Sequence, residues 1–330
     1  MSDTNELFAV TQWLSQSHRP LLLSHARPDG DALGSLAAMA LALKAMGKEP
    51  TVALFDAFPP RYGMLRDAIT WHSWEESREV LAESCDGVII VDTCALAQVD
   101  PALDFLRRAP RMLVIDHHVT RDPLATRDGD LRLIDETAAA ACVLIAEWVF
   151  AAGVELSKPL AEALFIGIGT DCGWFKYSNT DARTLRIAAR LVEAGVEPAK
   201  LFNAIYQQEP IGKLRLIARL LTGIQLRADG RLAVLTLRPA DFEAAGADKS
   251  MTEDLVNEVG RLAGVECTLL FTEEPDGVVR VNLRSKERLD VAEVARRYGG
   301  GGHARAAGCR LRGEWDRVVS AFVNEIEEAV

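Results

Sequence analysis

The sequence predicts an α/β fold: an N-terminal doubly wound, mainly parallel sheet followed by a smaller C-terminal α+β domain. Three observations carry this. Leu21–Leu23, Gly87–Val91 and Met112–Ile115 are continuously apolar rather than alternating, the pattern of strands covered on both faces of a parallel sheet. Helix-like segments separate them. From about Ala228 the texture changes to several strand-like segments with a few helices among them, which reads as a second, α+β layer.

In chain order, residues 5–17 place Leu7, Phe8, Val10, Trp13 and Leu14 on one side of an amphipathic helix. Leu21–Leu23 is the first strand, and the segment from Ala32 to Leu43 reads as the helix after it. Thr51–Phe55 is a second strand, ended by Phe58-Pro-Pro-Arg61. Gly87–Val91 and Met112–Ile115 are the third and fourth, and Leu131–Ile134 is a short fifth. Helices are expected from Asp135-Glu136-Thr137 to about Phe150, over Leu160–Ile168, Thr180–Gly195, Pro198–Gln208 and Leu214–Ile224. Beyond these, Leu232–Leu237, Val265–Phe271 and Val278–Leu283 read as strands, and Thr252–Ala263, Val291–Tyr298 and Trp315–Ala329 as helices. The division that follows is residues 1–205 as a first domain, 206–225 as a linker helix and 226–330 as a second domain, with a crevice facing it across a hinge.

The net charge of −11 over 330 residues disfavours a grip on long nucleic acid, which needs a basic face to neutralise phosphates. It favours a small or short ligand in a local basic pocket. The six cysteines form no Cys-x-x-Cys pair, which fits a reducing cytoplasm and argues against a structural zinc site. The first residues lack the pattern of a signal peptide, and the longest apolar stretch, Ala138–Ala146, is too short to span a bilayer.

Polar residues recur at the carboxyl ends of the strands. His25, Asp29 and Asp31 follow the first, Asp92 the third, and Asp116-His117-His118 the fourth. Open α/β sheets bind ligands at such ends. Asp171 sits in a glycine-rich stretch after an apolar run. Together His25, Asp29, Asp31, Asp92, His117 and Asp171 are too many ligands for one tetrahedral ion and suit two octahedral ions bridged by a carboxylate. The mixed imidazole and carboxylate set favours Mn²⁺, ahead of Mg²⁺ or Co²⁺ and over Ca²⁺. Asp116 is placed to orient a neighbouring imidazole. In the C-terminal part, Tyr298-Gly-Gly-Gly-Gly-His-Ala-Arg reads as a glycine loop entering a helix, with Gly300, Gly301 and Gly302 offering N–H groups to an anion and His303 and Arg305 adding donors. Arg284 and Ser285, at the end of the nearest strand, offer a second anion clamp. Cys172 reads as a small buried hydrophobe, while Trp174 and Phe175, beside Asp171, read either as packing residues or as a platform for a base.

These motifs resemble the DHH phosphoesterase superfamily. The resemblance rests on His25-x-x-x-Asp29-x-Asp31-x-x-Gly34-Ser35, Asp92, Asp116-His117-His118, Asp171, and the C-terminal Gly300-Gly-Gly-His303 with Ala306-Ala-Gly308. It covers nearly the whole chain and is nearest to the bifunctional oligoribonuclease and pAp phosphatase subfamily. It implies one ion on His25, Asp29 and Asp92 and a second on Asp31, Asp92, His117 and Asp171. His118 would touch the scissile phosphate, with Asp92 and Asp116 completing the catalytic set, and Arg284 and His303 would hold the remote end of the substrate. Three residues depart from the common pattern: Arg27 and Gly30, where many relatives have Asn and Ala, and Asn282, where Ser is common.

The implied activity is hydrolysis of short oligoribonucleotides to nucleoside 5′-monophosphates and of 3′-phosphoadenosine 5′-phosphate (pAp) to AMP. Water attacks phosphorus in line, without a covalent enzyme intermediate. The alternative is a phosphodiesterase of cyclic or linear dinucleotides such as c-di-AMP and pApA. Long duplex nucleic acid and membranes are not expected partners, a homodimer is admissible, and the expected compartment is the cytoplasm. A catalytically idle nucleotide sensor is the contrasting class, against which the complete ligand set argues.

Overall fold

The computed structural model describes residues 4–252, 255–274 and 276–330, apart from the side chain of His303. The chain divides into two units, up to Gln208 and from Glu209 onward.

The first unit is built on six parallel strands: β1 (Pro20–Leu23), β2 (Thr51–Leu54), β3 (Trp71–Ser73), β4 (Gly87–Val91), β5 (Met112–Asp116) and β6 (Leu131–Ile134). Their order is β3-β2-β1-β4-β5-β6. The direction of winding reverses between β1 and β4, the place where doubly wound sheets open a crevice. The registers Leu23↔Ile90, Val91↔Ile115 and Asp116↔Ile134 align the carboxyl ends, so the loops after β1, β4 and β5 emerge side by side.

Alternate residues of each strand enter different cores. Leu22, Ile89 and Leu113 pack with Leu14, Met39, Trp148 and Leu164, which come from α1 (Thr4–Ser15), α2 (Gly30–Ala45), α6 (Ala141–Ala151) and α7 (Lys158–Asp171). Leu21, Leu23, Ile90 and Val114 pack with Trp74, Leu81 and Leu106 on the other face. Short α3 (Gly63–Arg66), α4 (Trp74–Ser84) and short α5 (Leu103–Leu106) lie in the β2–β5 connections. The first unit closes with α8 (Ala182–Glu193) and α9 (Pro198–Tyr206).

Helices α2 and α7 meet backbone to backbone. A Cβ on Gly34 would lie 2.6 Å from the Ala163 carbonyl oxygen, and one on Gly167 would lie 2.2 Å from Cys142 Sγ and 2.8 Å from Asp31 Oδ1. Neither position has room for alanine.

The second unit begins with α10 (Ile211–Thr222) and carries a mixed sheet in the order β11-β12-β10-β9-β8-β7. Its strands are β7 (Gln225–Arg227), β8 (Leu232–Leu237), β9 (Cys267–Glu273), β10 (Val278–Ser285), β11 (Gly301–His303) and β12 (Ala306–Arg312). Only β8 and β9 pair in parallel. Leu269, Phe271 and Val281 face Val294, Phe322 and Ile326 of α13 (Val291–Arg297) and α14 (Trp315–Ala329). Leu235, Leu237 and Leu270 face Leu216, Leu220, Ala245 and Leu255 of α10, α11 (Pro239–Ala245) and α12 (Leu255–Val259). The helix expected as a linker, α10, is thus packed into the second core.

The structure differs from the sequence reading at several places. The glycine run enters no helix: Gly301–His303 and Ala306–Arg312 form the β11–β12 hairpin, with Gly302 paired to Ala307. Ala and Arg favour helix, but pairing of β12 along seven residues of β10 overrides local propensity. Helix α6 starts at Ala141 rather than Asp135, because the Asp135 side chain accepts from Thr137 N and Oγ1 and holds the segment in a turn. Helix α7 runs on to Asp171, past Ile168, where it was expected to end. Strand β3 and helix α4 carry no long apolar pattern and were not foreseen.

Candidate functional site

The loops after β1, β4 and β5 and the end of α7 bring the six expected ligands together. His25, Asp29 and Asp92 form one group, Asp31, His117 and Asp171 a second, and Asp92, His117 and His118 a third; within each group one ligand atom per residue lies within 4.8 Å of the others.

Asp92 sits between the first two groups. Its Oδ2 is 3.4 Å from His25 Nε2 and its Oδ1 is 3.4 Å from His117 Nε2. Its backbone is left-handed (φ 61°), a conformation that Asp tolerates better than most residues. That turn at the end of β4 aims the carboxylate back between the two imidazoles. His117 Nε2 is also 3.5 Å from Asp171 Oδ2 and 3.9 Å from Asp31 Oδ2, and His25 Nε2 is 3.9 Å from Asp29 Oδ1.

Local structure fixes each group. Asp29 caps α2 by accepting from Asp31 N and Ala32 N. Asp31 does the same for α6, with Oδ2 accepting from Ala141 N at 2.6 Å and Oδ1 from Cys142 N at 3.0 Å. His117 Nδ1 meets the Ala138 carbonyl at 3.2 Å, which leaves Nε2 facing the cluster. Asp116 Oδ1 binds His118 Nδ1. Arg27, between the ligands, is left-handed (φ 56°) and its N–H is held by Asp56; Asn adopts this conformation more readily than Arg.

The site is charged and buried in a way that protein groups do not balance. Asp92 Oδ1 and His117 Nε2 are buried and meet each other only across a long 3.4 Å contact, with no other hydrogen-bond partner, an arrangement that costs stability unless something else meets those atoms. Burial works against a charged His25 and His117, yet hydrogen bonds and charge from Asp92, joined by Asp29 for His25 and by Asp31 and Asp171 for His117, push their pKa values up to about 9 and about 10. Burial, joined by the charge of Asp92, pushes Asp29 and Asp31 up and Asp171 up to about 6. Burial also acts to raise Asp92, but bonds from His117 and His25 take it down to about 2. Protons are thus retained on ligands that a divalent cation would neutralise better. The donor set, the orphaned atoms and the charge all fit two such ions.

In the second unit, Arg284 lies at the end of β10 with Nε donating to Asn257 Oδ1 at 3.0 Å. Arg284 pairs with Ala306, and Ala306 with His303, so one row of the sheet carries both expected clamp positions. The side chain of His303 lies outside the described residues. Ser285 Oγ donates to Leu289 O at 2.6 Å, and Arg305 Nη1 donates to the same carbonyl at 2.9 Å. Both thereby brace the turn before α13. Gly300 is pressed against the Gly308 carbonyl and Cys309, and Gly302 has φ 140°; neither accepts a side chain. Trp174 and Phe175 are packing residues: both rings contact Phe165, and Trp174 also meets Phe202 and Tyr206.

Sequence reasoning missed the groups that hold the ligands: the Ala138 carbonyl, the Ala141 and Cys142 N–H groups, and Asn179, whose Nδ2 donates to Ala139 O and Asp171 O. Backbone donors and acceptors carry no residue-type signal, so only the Asp135–Thr137 turn pattern hinted at this segment.

The DHH family N-terminal domain matches residues 21–168, and the DHHA1 domain matches residues 229–330. The bifunctional oligoribonuclease and PAP phosphatase NrnA of Thermus thermophilus is 31% identical over 97% of this chain and 94% of its own length. The chain belongs to the DHH family. It is a phosphate-ester hydrolase. An exopolyphosphatase-related protein from Bacteroides fragilis has the same fold, with a TM-score of 0.91 at 22% identity over 99% of this chain and 96% of that one. Exonuclease RecJ, solved bound to manganese, shares the fold more distantly, with a TM-score of 0.54 at 14% identity over 99% of this chain and 93% of that one. Among the described residues no helix is long and apolar enough to cross a membrane.

Proposed function

We propose that this hydrolase degrades short oligoribonucleotides to nucleoside 5′-monophosphates and removes the 3′-phosphate of pAp, using two divalent cations, Mn²⁺ ahead of Mg²⁺ or Co²⁺. The observation that carries the reading is Asp92, whose two oxygens face His25 and His117 from between two groups of ligands. The full-length similarity to the Thermus thermophilus oligoribonuclease and PAP phosphatase supports the substrate class.

His25, Asp29 and Asp92 would hold one ion, and Asp31, Asp92, His117 and Asp171 the other. Bound cations supply Lewis acidity toward the phosphoryl oxygens and lower the pKa of water. His118 is tied through Nδ1 to Asp116, so its remaining nitrogen can donate to a phosphoryl oxygen as negative charge develops in the transition state. Arg284, with Ser285, the Gly300–Gly302 backbone, His303 and Arg305 around it, would hold a part of the substrate that does not react. The net charge of −11 repels a long polyanion, which favours short substrates over long duplexes. Cysteines that are all unpaired fit a reducing cytoplasm.

The test is a metal-controlled panel of pAp, a labelled dinucleotide, a pentamer, a long oligomer and c-di-AMP. Mn²⁺ and Mg²⁺ should support turnover of pAp and the short RNAs, and Ca²⁺ should not. The long oligomer should be the slower substrate at equal concentration of ends. Preference for c-di-AMP would replace this reading with the dinucleotide alternative, and full activity with Ca²⁺ alone would overturn the metal assignment.

A further inference from the structure

We propose that residues 135–142, which supply no ligand, hold His117, Asp31 and Asp171 in register, and that Arg183 is the positioning residue that anchors them. The inference rests on the reading that those three side chains bind a cation.

The segment touches His117 and Asp31 directly and reaches Asp171 through Asn179. Ala138 O meets His117 Nδ1 at 3.2 Å, Ala141 N and Cys142 N donate to the two oxygens of Asp31, and Ala139 O shares the Asn179 amide with Asp171 O. At its start, Asp135 N donates to the Asp116 carbonyl at 3.2 Å, next to His117. A shift of this segment would therefore move an imidazole, a carboxylate and the end of α7 together. The Ala138 carbonyl also selects the imidazole tautomer, since an acceptor at Nδ1 leaves Nε2 as the lone-pair nitrogen.

The segment's own bonds close only the turn from Asp135 to Ala138. It is not regular secondary structure before Ala141, and α6 has no side-chain cap from its own cap residue, Ala140. What fixes it is Arg183, which is 8% exposed on α8. Its Nη1 donates to Asp135 Oδ2 at 2.6 Å, while Nε and Nη2 form a fork on Glu147 of α6, each at 2.7 Å. The other oxygen of Asp135 accepts from Thr137 N and Oγ1, and Asp135 O accepts from Ala138 N. One guanidinium thus fixes the turn that presents the Ala138 carbonyl and joins that turn to the helix whose N-terminus holds Asp31. A planar fork with a third donor is a geometry that lysine cannot reproduce.

The test is Mn²⁺ binding to the metal-stripped full chain, followed by electron paramagnetic resonance, alongside thermal unfolding. Arg183→Lys and Asp135→Asn should weaken one of two Mn²⁺ sites by about 10- to 100-fold, the range for loss of a group that orients a ligand. Asp86→Ala is the control for a merely structural loss away from this segment. Asp86 accepts from Ser17 Oγ, His18 N and Arg19 N in the α1–β1 connection, so its loss should lower Tm and leave both Mn²⁺ affinities unchanged. If Arg183→Lys does not fold, Asp135→Asn decides the matter, because Asn keeps the acceptor for Thr137. Wild-type affinity at both sites in a folded Asp135→Asn protein would overturn the positioning role. A wild-type chain that fails to bind two Mn²⁺ ions would instead sink the metal-centre reading beneath it.

Discussion

The Nδ1 of His118 lies 2.8 Å from the Oδ1 of Asp116, and that same oxygen accepts the backbone N–H groups of both His117 and His118. A fully buried carboxylate therefore sets the direction of two successive histidines. The bond from Asp116 raises the His118 pKa above its ordinary value, against the opposing effect of burial. His118 accordingly keeps its proton to higher pH than a free imidazole.

Asp116→Asn should lower kcat by about 10- to 100-fold and shift the basic limb of the pH–rate profile to lower pH. The sign follows from the bond: a carboxylate favours the imidazolium and an amide does not. A profile whose basic limb stays in place would show that His118 does not act in its protonated form.

Asp92→Ala should remove the group that faces both His25 and His117. Turnover should fall by about a thousandfold or more, as expected when charge stabilisation of the transition state is lost. Equilibrium dialysis should find fewer than two Mn²⁺ per chain. Retention of both ions at wild-type affinity would exclude a shared ligand.

Arg284→Ala should separate nucleotide substrates from a generic one. A charge-assisted contact to phosphate contributes about 1.5–3 kcal/mol, so kcat/KM on pAp and dinucleotides should drop by about ten- to 150-fold. Bis-p-nitrophenyl phosphate is too short to reach such a grip and should lose much less. Equal losses on both would assign Arg284 to the fold, through its bond to Asn257, and not to the substrate.

Asp86 tests the scaffold away from the site. Just before β4, it accepts from Ser17 Oγ, His18 N and Arg19 N and so pins the α1–β1 connection. Burial acts to raise its pKa, but these bonds outweigh it and the folded-state value is lowered below 3.8. A lowered carboxylate stabilises the fold above its unfolded pKa, and that stabilisation is lost as pH falls through the folded value. Asp86→Ala should thus lower stability near neutrality, by about 1 kcal/mol once solvent screening of this partly exposed group is allowed for. The gap between the melting curves should narrow in acid, and a gap that stays constant with pH would remove the carboxylate charge as the cause.

Much of this molecule was legible in its sequence because parallel strands buried on both faces show as uninterrupted apolar runs. Acidic and imidazole residues after β1, β4 and β5 had to share one edge once those strands were parallel. What was hidden depended on partners far along the chain. The start of α6 is set jointly by the Asp135–Thr137 turn and by Asp31, 110 and 111 residues away, and no window around Ala141 contains Asp31. Strand β12 has the composition of a helix and becomes a strand only because β10 and β11 lie on either side. Helix α4 buries little beyond Trp74 and Leu81, too few points to mark a periodicity.

The crossing of α2 and α7 at Gly34 and Gly167 has a consequence for how such a chain can change over generations. Asp31 belongs to one helix and Asp171 to the other, and the helices touch through main-chain atoms. At Gly34 the nearest atoms of α7 all belong to the main chain, so no side chain there can be traded for a larger or smaller one. The hydrophobic residues elsewhere in this core can be exchanged for others of similar volume while the distance between the two carboxylates stays put. Drift in the core and fidelity of the catalytic centre are thereby uncoupled, and two residues with no functional group of their own become as intolerant of replacement as the aspartates they keep in place.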